Sequence, residues 1–260
     1  MSRPLILISN DDGYEAKGFA SLIEMMRPLG DVIAVAPDSA RSGASLSITS
    51  HIPLRTSQRE NSPGLSVYSC SGTPCDCVKI AFEKILPRRP DLVLSGINHG
   101  DNAAINAHYS GTVAVAIEGC MKGVPSIAFS SCRTSAGADF SALAGPVRSI
   151  AEETLLHGLP AGVCLNVNFP DADHFKAPRI CKMGGGEWVN EWEERTDPRH
   201  RTYYWLTGKF VGSDTADPDS DLNALHQGHI AVTPIQLDLT AYAAMKELGR
   251  YQSILSRESL

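Results

Sequence analysis

Aliphatic runs alternate with amphipathic stretches through the first two-thirds of the chain. Leu5 to Ser9 and Asp31 to Ala36 read as buried strands. Between them, Lys17 to Leu29 places Phe19, Leu22, Ile23 and Met26 on one helical face, with Gly30 as the stop. This is a βαβ unit. Thr73 predicts a cap for a helix that begins at Pro74 and runs through Ile85 until Pro87, and Leu92 to Leu94 reads as the next strand, ending in Ser95, Gly96, Ile97 and Asn98. Ser110 opens a helix from Gly111 to Met121, Val124 to Ser130 returns as a strand, and Ala138 to Leu159 reads as a helix interrupted around Gly145-Pro146. Val163 to Phe169 is the last strand of the series. Continuous apolar strands separated by helices predict an α/β fold, with a mostly parallel sheet covered by helices on both faces and right-handed crossovers.

Beyond about residue 178 the alternation breaks. A glycine run (Gly184 to Gly186), an aromatic patch (Trp188, Trp192, Tyr203, Tyr204, Trp205, Phe210) and an acidic loop (Asp214, Asp217, Asp219, Asp221) precede a strand, His229 to Gln236, and a terminal helix, Thr240 to Leu255. This divides the chain into a core over 1–180 and an extension over 181–260. The three tryptophans all fall in the extension, which makes it either an oligomer interface or a satellite core packed on the parent domain.

At 260 residues the chain is long enough to bury a substantial core. Its 23 Lys and Arg against 29 Asp and Glu leave a net charge of −6, and no basic block appears, so avid binding to long nucleic acids is not expected. Seven scattered cysteines, an odd number in a chain of this size, predict reduced thiols. Cys75 and Cys77 are read as small apolar helix residues rather than a zinc or redox pair. No signal-peptide core or membrane span is visible. The expectation is a soluble, cytoplasmic protein.

The chemistry sits where strands end. In an open parallel sheet, ligands bind beyond the carboxyl ends of the strands, at the point where strand order reverses. Asn10, Asp11, Asp12 and Gly13 follow the first strand, Asp38 to Ser45 follow the second, and Ser95 to Asn102 follow the Leu92 strand. Two adjacent carboxylates raise one another's proton affinity, a cost that a divalent cation relieves, although Asn-Asp-Asp-Gly is also an ordinary turn sequence. Asp11, Asp12, the Asn98 amide and the Ser42 hydroxyl make an all-oxygen set suited to magnesium or manganese, with calcium able to substitute. Ser110, Gly111 and Thr112 open a helix and offer N–H and hydroxyl groups to an anion, while Ser110 alone would serve as a cap. The loop Ser42-Gly43-Ala44-Ser45 offers further donors.

Taken in order, these segments resemble the SurE family, the stationary-phase survival proteins that act as metal-dependent 5'/3'-nucleotidases. The resemblance is carried by Asn10-Asp11-Asp12-Gly13, Ala36-Pro37-Asp38 with Ser42-Gly43, Gly72-Thr73-Pro74 with Asp76-Cys77-Val78, and Ser95-Gly96-Ile97-Asn98 with Gly100 and Asn102. Tyr109 to Val113, Asn166-Val167-Asn168, Asp197-Pro198-Arg199 with Tyr204-Trp205, and Thr233-Pro234 complete it. It implies a Rossmann-like core with a C-terminal hairpin arm, a divalent cation on Asp11, Asp12, Ser42 and Asn98, and phosphate held near Ser110, Gly111 and Thr112. Asn10, Gly43 and Asn102 join these on the phosphate side, and Asp11 or Asp12 serves as catalytic base. It further implies hydrolysis of nucleoside monophosphates, extending to exopolyphosphatase activity, by a homodimer or homotetramer built through the extension. A non-catalytic, metal-dependent nucleotide-binding protein is the alternative. Ala104-Ile105-Asn106 departs from the family's usual glycine and acidic residues at this place, so Ile105, Asn106 and His108 are expected to reshape the pocket.

Overall fold

A strand with aliphatic side chains on both faces is stable only inside a three-layer stack, and the first strand behaves that way. The computed structural model describes residues 3–135 and 137–253. In β1 (Leu5–Ser9) every residue is buried, with Ile6 and Ile8 facing one core layer and Leu7 the other. The chain continues through α1 (Lys17–Met26), β2 (Asp31–Pro37), β3 (Thr56–Ser62), β4 (Leu65–Cys70), α2 (Pro74–Ile80) and β5 (Leu92–His99). Then come α3 (Gly111–Met121), β6 (Ser126–Ser131), α4 (Ala144–His157), β7 (Val163–Phe169) and β8 (Lys176–Ile180). The arm strands β9 (Gly186–Val189), β10 (Trp192–Thr196), β11 (Thr202–Leu206) and β12 (Lys209–Gly212) are followed by α5 (Asp221–His226), β13 (His229–Gln236) and α6 (Tyr242–Leu248).

Nine strands form one sheet in the order β3-β4-β2-β1-β5-β6-β7-β13-β8. From β4 to β7 every pairing is parallel, while β3 and β13 run antiparallel to β4 and β7, and β8 runs parallel to β13. The parallel strands therefore have the doubly wound order in which connections diverge on either side of β1. A crevice opens between the carboxyl ends of β1 and β5. Phe19, Leu22 and Val147 pack with Phe129 and Phe169 on one face, and Val78 and Val115 pack on Leu7 and Val35 on the other. Helix α1 lies so close to β5 that a Cβ on Gly18 would stand 1.9 Å from the Ile97 carbonyl oxygen.

Several boundaries differ from the sequence reading, each for a local reason. The Leu92 strand continues to His99, so Ser95 to Asn98 lie in the sheet rather than beyond it. Pro146 does not interrupt a helix, because it falls in the first turn of α4, where its missing N–H would have had no partner anyway. Helix α2 gives way at Ala81–Ile85 to a wider turn before Pro87. Strands β3, β4 and β8 were not expected. β3 is polar and exposed along its length, so it has no apolar alternation to read. The terminal helix is shorter than Thr240 to Leu255: α6 ends at Leu248, a tighter turn covers Gly249–Ser253, and Leu255 lies outside the described residues.

The extension contributes in two ways. β9 pairs with β12 and β10 with β11, and the Thr207 N–H donates to the Glu191 oxygen at 2.7 Å between the two ladders, so the four strands make one long hairpin arm. Its chain then returns through α5, and β13 inserts between β7 and β8.

Candidate active site

The turn after β1 separates its two carboxylates. The Asn10 side chain donates to the Gly13 oxygen at 2.9 Å and accepts from the Gly13 N–H at 3.2 Å, and Gly13 adopts a φ of +100°. Glycine takes that backbone without strain. Asn10 is thus spent on the turn, and the turn sends Asp11 toward α3 and Asp12 toward β5.

Asp11 is 4% exposed. Its Oδ1 accepts from the Thr112 hydroxyl at 2.5 Å and its Oδ2 from the Gly111 N–H at 3.1 Å. Burial, reinforced by the neighbouring Asp12 charge and opposed by the Thr112 hydrogen bond, pushes its carboxyl up to about 6. Helix α3 begins here because Ser110 accepts the Val113 N–H at 3.0 Å. Gly111 must lack a side chain, since a Cβ would stand 2.7 Å from Asp11 Cβ and 3.0 Å from Pro74 Cγ. Of the Ser110-Gly111-Thr112 turn expected beside a phosphate, Gly111 and Thr112 bond the Asp11 carboxylate, which gains from the positive end of the helix dipole.

Asp12 faces β5, where its Oδ2 lies 3.4 Å from the His99 N–H and 3.3 Å from the His99 ring Nδ1. The imidazole stands edge-on to Phe140, with centroids 4.9 Å apart. Beside it, Asn98 commits its amide nitrogen to the Gly100 oxygen at 2.8 Å, which leaves the carbonyl oxygen as its ligand end. The loop after β2 is tied to the same place: the Arg41 N–H donates to the Asp11 carbonyl at 2.7 Å, and exposed Ser42 follows. Gly43 has a φ of +75° and open space around it. Ser45 fixes the far end, its N–H on the Tyr109 oxygen at 3.1 Å and its hydroxyl on the His108 oxygen at 2.6 Å.

Asn102 is not open to a ligand along most of its polar surface. Its N–H donates to Asn168 Oδ1 at 2.7 Å, its amide nitrogen to Ser130 Oγ at 2.8 Å, and its carbonyl accepts from the Asn166 side chain at 2.8 Å. Asn102 therefore anchors the loop between β5 and α3 to β6 and β7. Ser45, read from the sequence as a further donor, supports the site, as do His99, Asn166, Asn168 and buried Asp221, whose carboxylate accepts from the Ala104 N–H at 2.8 Å and the Gly184 N–H at 2.9 Å; these last four were not singled out from the sequence as site residues. Two asparagines at alternate positions of an otherwise apolar strand were the available signal.

The donor set suits a hard cation. Among the described residues no group of three or more His, Cys, Asp or Glu side chains is arranged to hold a metal ion by itself, so a cation here would draw on amide and hydroxyl oxygens as well. Asp11 with its raised carboxyl, Asp12 beside it, the Asn98 carbonyl and the nearby Ser42 loop supply oxygen alone, and a divalent cation would relieve the repulsion of the two carboxylates.

The model of the family described as survival protein SurE matches residues 6–190. A protein of Phocaeicola vulgatus named 5'-nucleotidase SurE is 52% identical over 249 residues, covering 96% of this chain and 97% of its own length. One of the same name from Bacteroides fragilis is 48% identical, covering 96% and 98%. The crystal structure of a SurE protein from Aquifex aeolicus superposes with a TM-score of 0.81 at 35% identity, over 96% of this chain and 100% of that one. The chain belongs to the SurE family.

Proposed function

We propose that this protein is a metal-dependent 5'-nucleotidase that hydrolyses nucleoside 5'- and 3'-monophosphates to nucleoside and phosphate. The observation that carries the reading is the placement of Asp11, Asp12 and the Asn98 oxygen at the β1/β5 crevice, with the Ser42 loop bonded to the Asp11 backbone. The relatives named 5'-nucleotidase, which match along nearly their whole length, support the same chemistry. A magnesium or manganese ion held by Asp11, Asp12, Ser42 and Asn98 would supply positive charge to the phosphoryl oxygens and acidify a bound water.

The protein's own part is positioning. Thr112 and Gly111 hold Asp11 in one orientation, and His99 holds Asp12. The Tyr109-Ser110 turn, pinned from the Ser45 side, keeps the N-terminus of α3 facing the crevice, where its dipole favours the charge of a phosphate. One carboxylate of the pair would accept the proton of the attacking water.

Exopolyphosphatase activity falls within the same chemistry, because a terminal phosphate of a chain presents the same oxygens. Assembly into a homodimer or homotetramer is supported by Trp192, Tyr204, Trp205 and Leu206, which the arm exposes to solvent. Seven free cysteines support a reducing, cytoplasmic setting, and among the described residues no helix is long and apolar enough to cross a membrane.

The test is phosphate release from AMP, from 3'-AMP and from polyphosphate, abolished by a chelator and restored by manganese or magnesium. A tight, chelator-sensitive AMP complex without released phosphate would replace the enzyme by a nucleotide-binding protein. Light scattering on the purified chain reads the oligomeric state.

A further inference from the structure

The segment between β5 and α3 is held from two sides. Residues Ala104–His108 form a short helical turn, entered at Ala104 with a φ of +51°, a left-handed backbone that costs a residue with a side chain some strain. That residue keeps its conformation under a bond from outside the core: its N–H donates to Asp221 Oδ2 of α5 at 2.8 Å. Two residues on, Asn106 Oδ1 accepts the indole N–H of Trp188 at 2.9 Å, a contact spanning 82 positions of sequence. Trp188 belongs to β9 and its ring packs against Phe210 of β12, with centroids 5.9 Å apart, so the indole is braced by the arm's own ladder.

The other side of the segment meets the metal loop. The carbonyls of His108 and Tyr109 receive the hydroxyl and N–H of Ser45, which itself has a φ of +50°. Two non-glycine residues in left-handed backbone, Ala104 and Ser45, are thus kept there by bonds into and out of one short segment. The same segment leads directly into Ser110 and then Gly111 and Thr112, the two residues that grip Asp11.

We propose that Asn106 and Trp188 are positioning residues for the reaction: their hydrogen bond fastens residues 104–109 to the arm, and through that segment the arm sets both the Ser42–Ser45 loop and the turn that holds Asp11. This rests on the nucleotidase reading, and it assigns the arm a role at the site of its own chain besides any role in assembly. Loss of one neutral hydrogen bond predicts a loosening of about threefold to tenfold in what the segment positions.

The experiment compares the full-length wild type with Trp188→Phe, Asn106→Ala, their double variant and Asn106→Asp. Trp188→Phe keeps a ring against Phe210 while removing the donor; Asn106→Asp keeps an acceptor. Amide hydrogen exchange without added metal is the first readout: both single variants speed exchange in 103–110 and 42–47 and leave β1, β5 and β6 unchanged. Calorimetric manganese affinity falls about threefold to tenfold in each single variant, no further in the double, and KM for AMP rises more than kcat falls. Asn106→Asp stays close to wild type in all three. Exchange that rises only within 186–212, unchanged manganese affinity and KM, additive single effects, or an Asn106→Asp variant as impaired as Asn106→Ala would each overturn the proposal. A wild type that releases no phosphate from AMP would instead sink the nucleotidase reading, and the exchange data would still decide the coupling.

Discussion

The Thr112 hydroxyl donates to Asp11 Oδ1 at 2.5 Å, so the first turn of α3 holds one carboxylate of the candidate metal pair. Thr112 is itself fully buried. Thr112→Val preserves the shape of the side chain and removes the donor, and partners that orient metal-ligating carboxylates typically cost about 10- to 100-fold in metal affinity or activity when lost. We expect manganese affinity and kcat/KM for AMP to fall within that range while far-UV circular dichroism stays that of the wild type. Unaltered manganese affinity would show that Thr112 only fills space.

Asp11 should cost stability whenever no cation is present. Its carboxyl sits at about 6 in the fold against 3.8 for the unperturbed group, mainly through burial. A carboxyl raised by folding contributes stability below its unfolded pKa, and that contribution is lost as pH rises through its folded value. Between pH 4 and pH 7 the loss is about 3 kcal/mol at most, at about 1.4 kcal/mol per unit. Asn can accept the Gly111 N–H with its oxygen and donate to Thr112 with its nitrogen. In chelator at pH 7, Asp11→Asn should therefore melt above the wild type, the gap closing toward pH 4, while with manganese restored the variant releases no phosphate from AMP. A variant that melts below the wild type at pH 7 would refute the burial argument.

The α/β class, the crevice and the Asp11, Asp12, Asn98 grouping were legible because each follows from a local pattern: aliphatic strands ending in polar residues can meet only at one sheet edge. What was not legible depends on contacts distant in sequence. Nothing near Ser110 says that its helix turn meets a carboxylate 100 positions earlier, and Ser110 shows itself as a cap only when Val113 is seen on its oxygen. Asn102 reads as a ligand group because it is polar and beside the site, yet its partners lie on β6 and β7. Asp221 reads as part of a solvated acidic loop and is buried against Ala104 and Gly184.

The clamp on Asn102 should be asymmetric. Asn168 accepts a buried backbone N–H, whereas Asn166 donates to a backbone carbonyl. A buried N–H left unpaired is rarer in folded proteins than an under-satisfied carbonyl, and stranding one costs about 1–3 kcal/mol. In urea denaturation, Asn168→Ala should lose more stability than Asn166→Ala, and both should raise KM for AMP through the loop that Asn102 anchors. Equal losses would mean that cavity volume, not hydrogen bonding, governs the pair.

The site also depends on how closely α1 lies on β5. A Cβ on Gly18 would stand 1.9 Å from the Ile97 oxygen and 2.9 Å from its carbonyl carbon. Both atoms are backbone, and no rotamer change can move them aside, so Gly18→Ala forces the helix off the strand or bends the strand. Helix α1 carries Phe19, Leu22 and Met26 into the core, so lifting it exposes apolar surface, and overpacking of this kind costs about 1–3 kcal/mol and sometimes more. Bending the strand instead displaces Asn98, one residue beyond Ile97. Gly18→Ala should therefore lose about 3 kcal/mol by urea denaturation and, in the fraction that remains folded, bind manganese more weakly. Gly43→Ala is the control: its Cβ meets no atom within 4 Å, and its φ of +75° costs only local strain, on the order of 1 kcal/mol. If Gly18→Ala proves as stable as the wild type, the close seating of α1 on β5 is wrong.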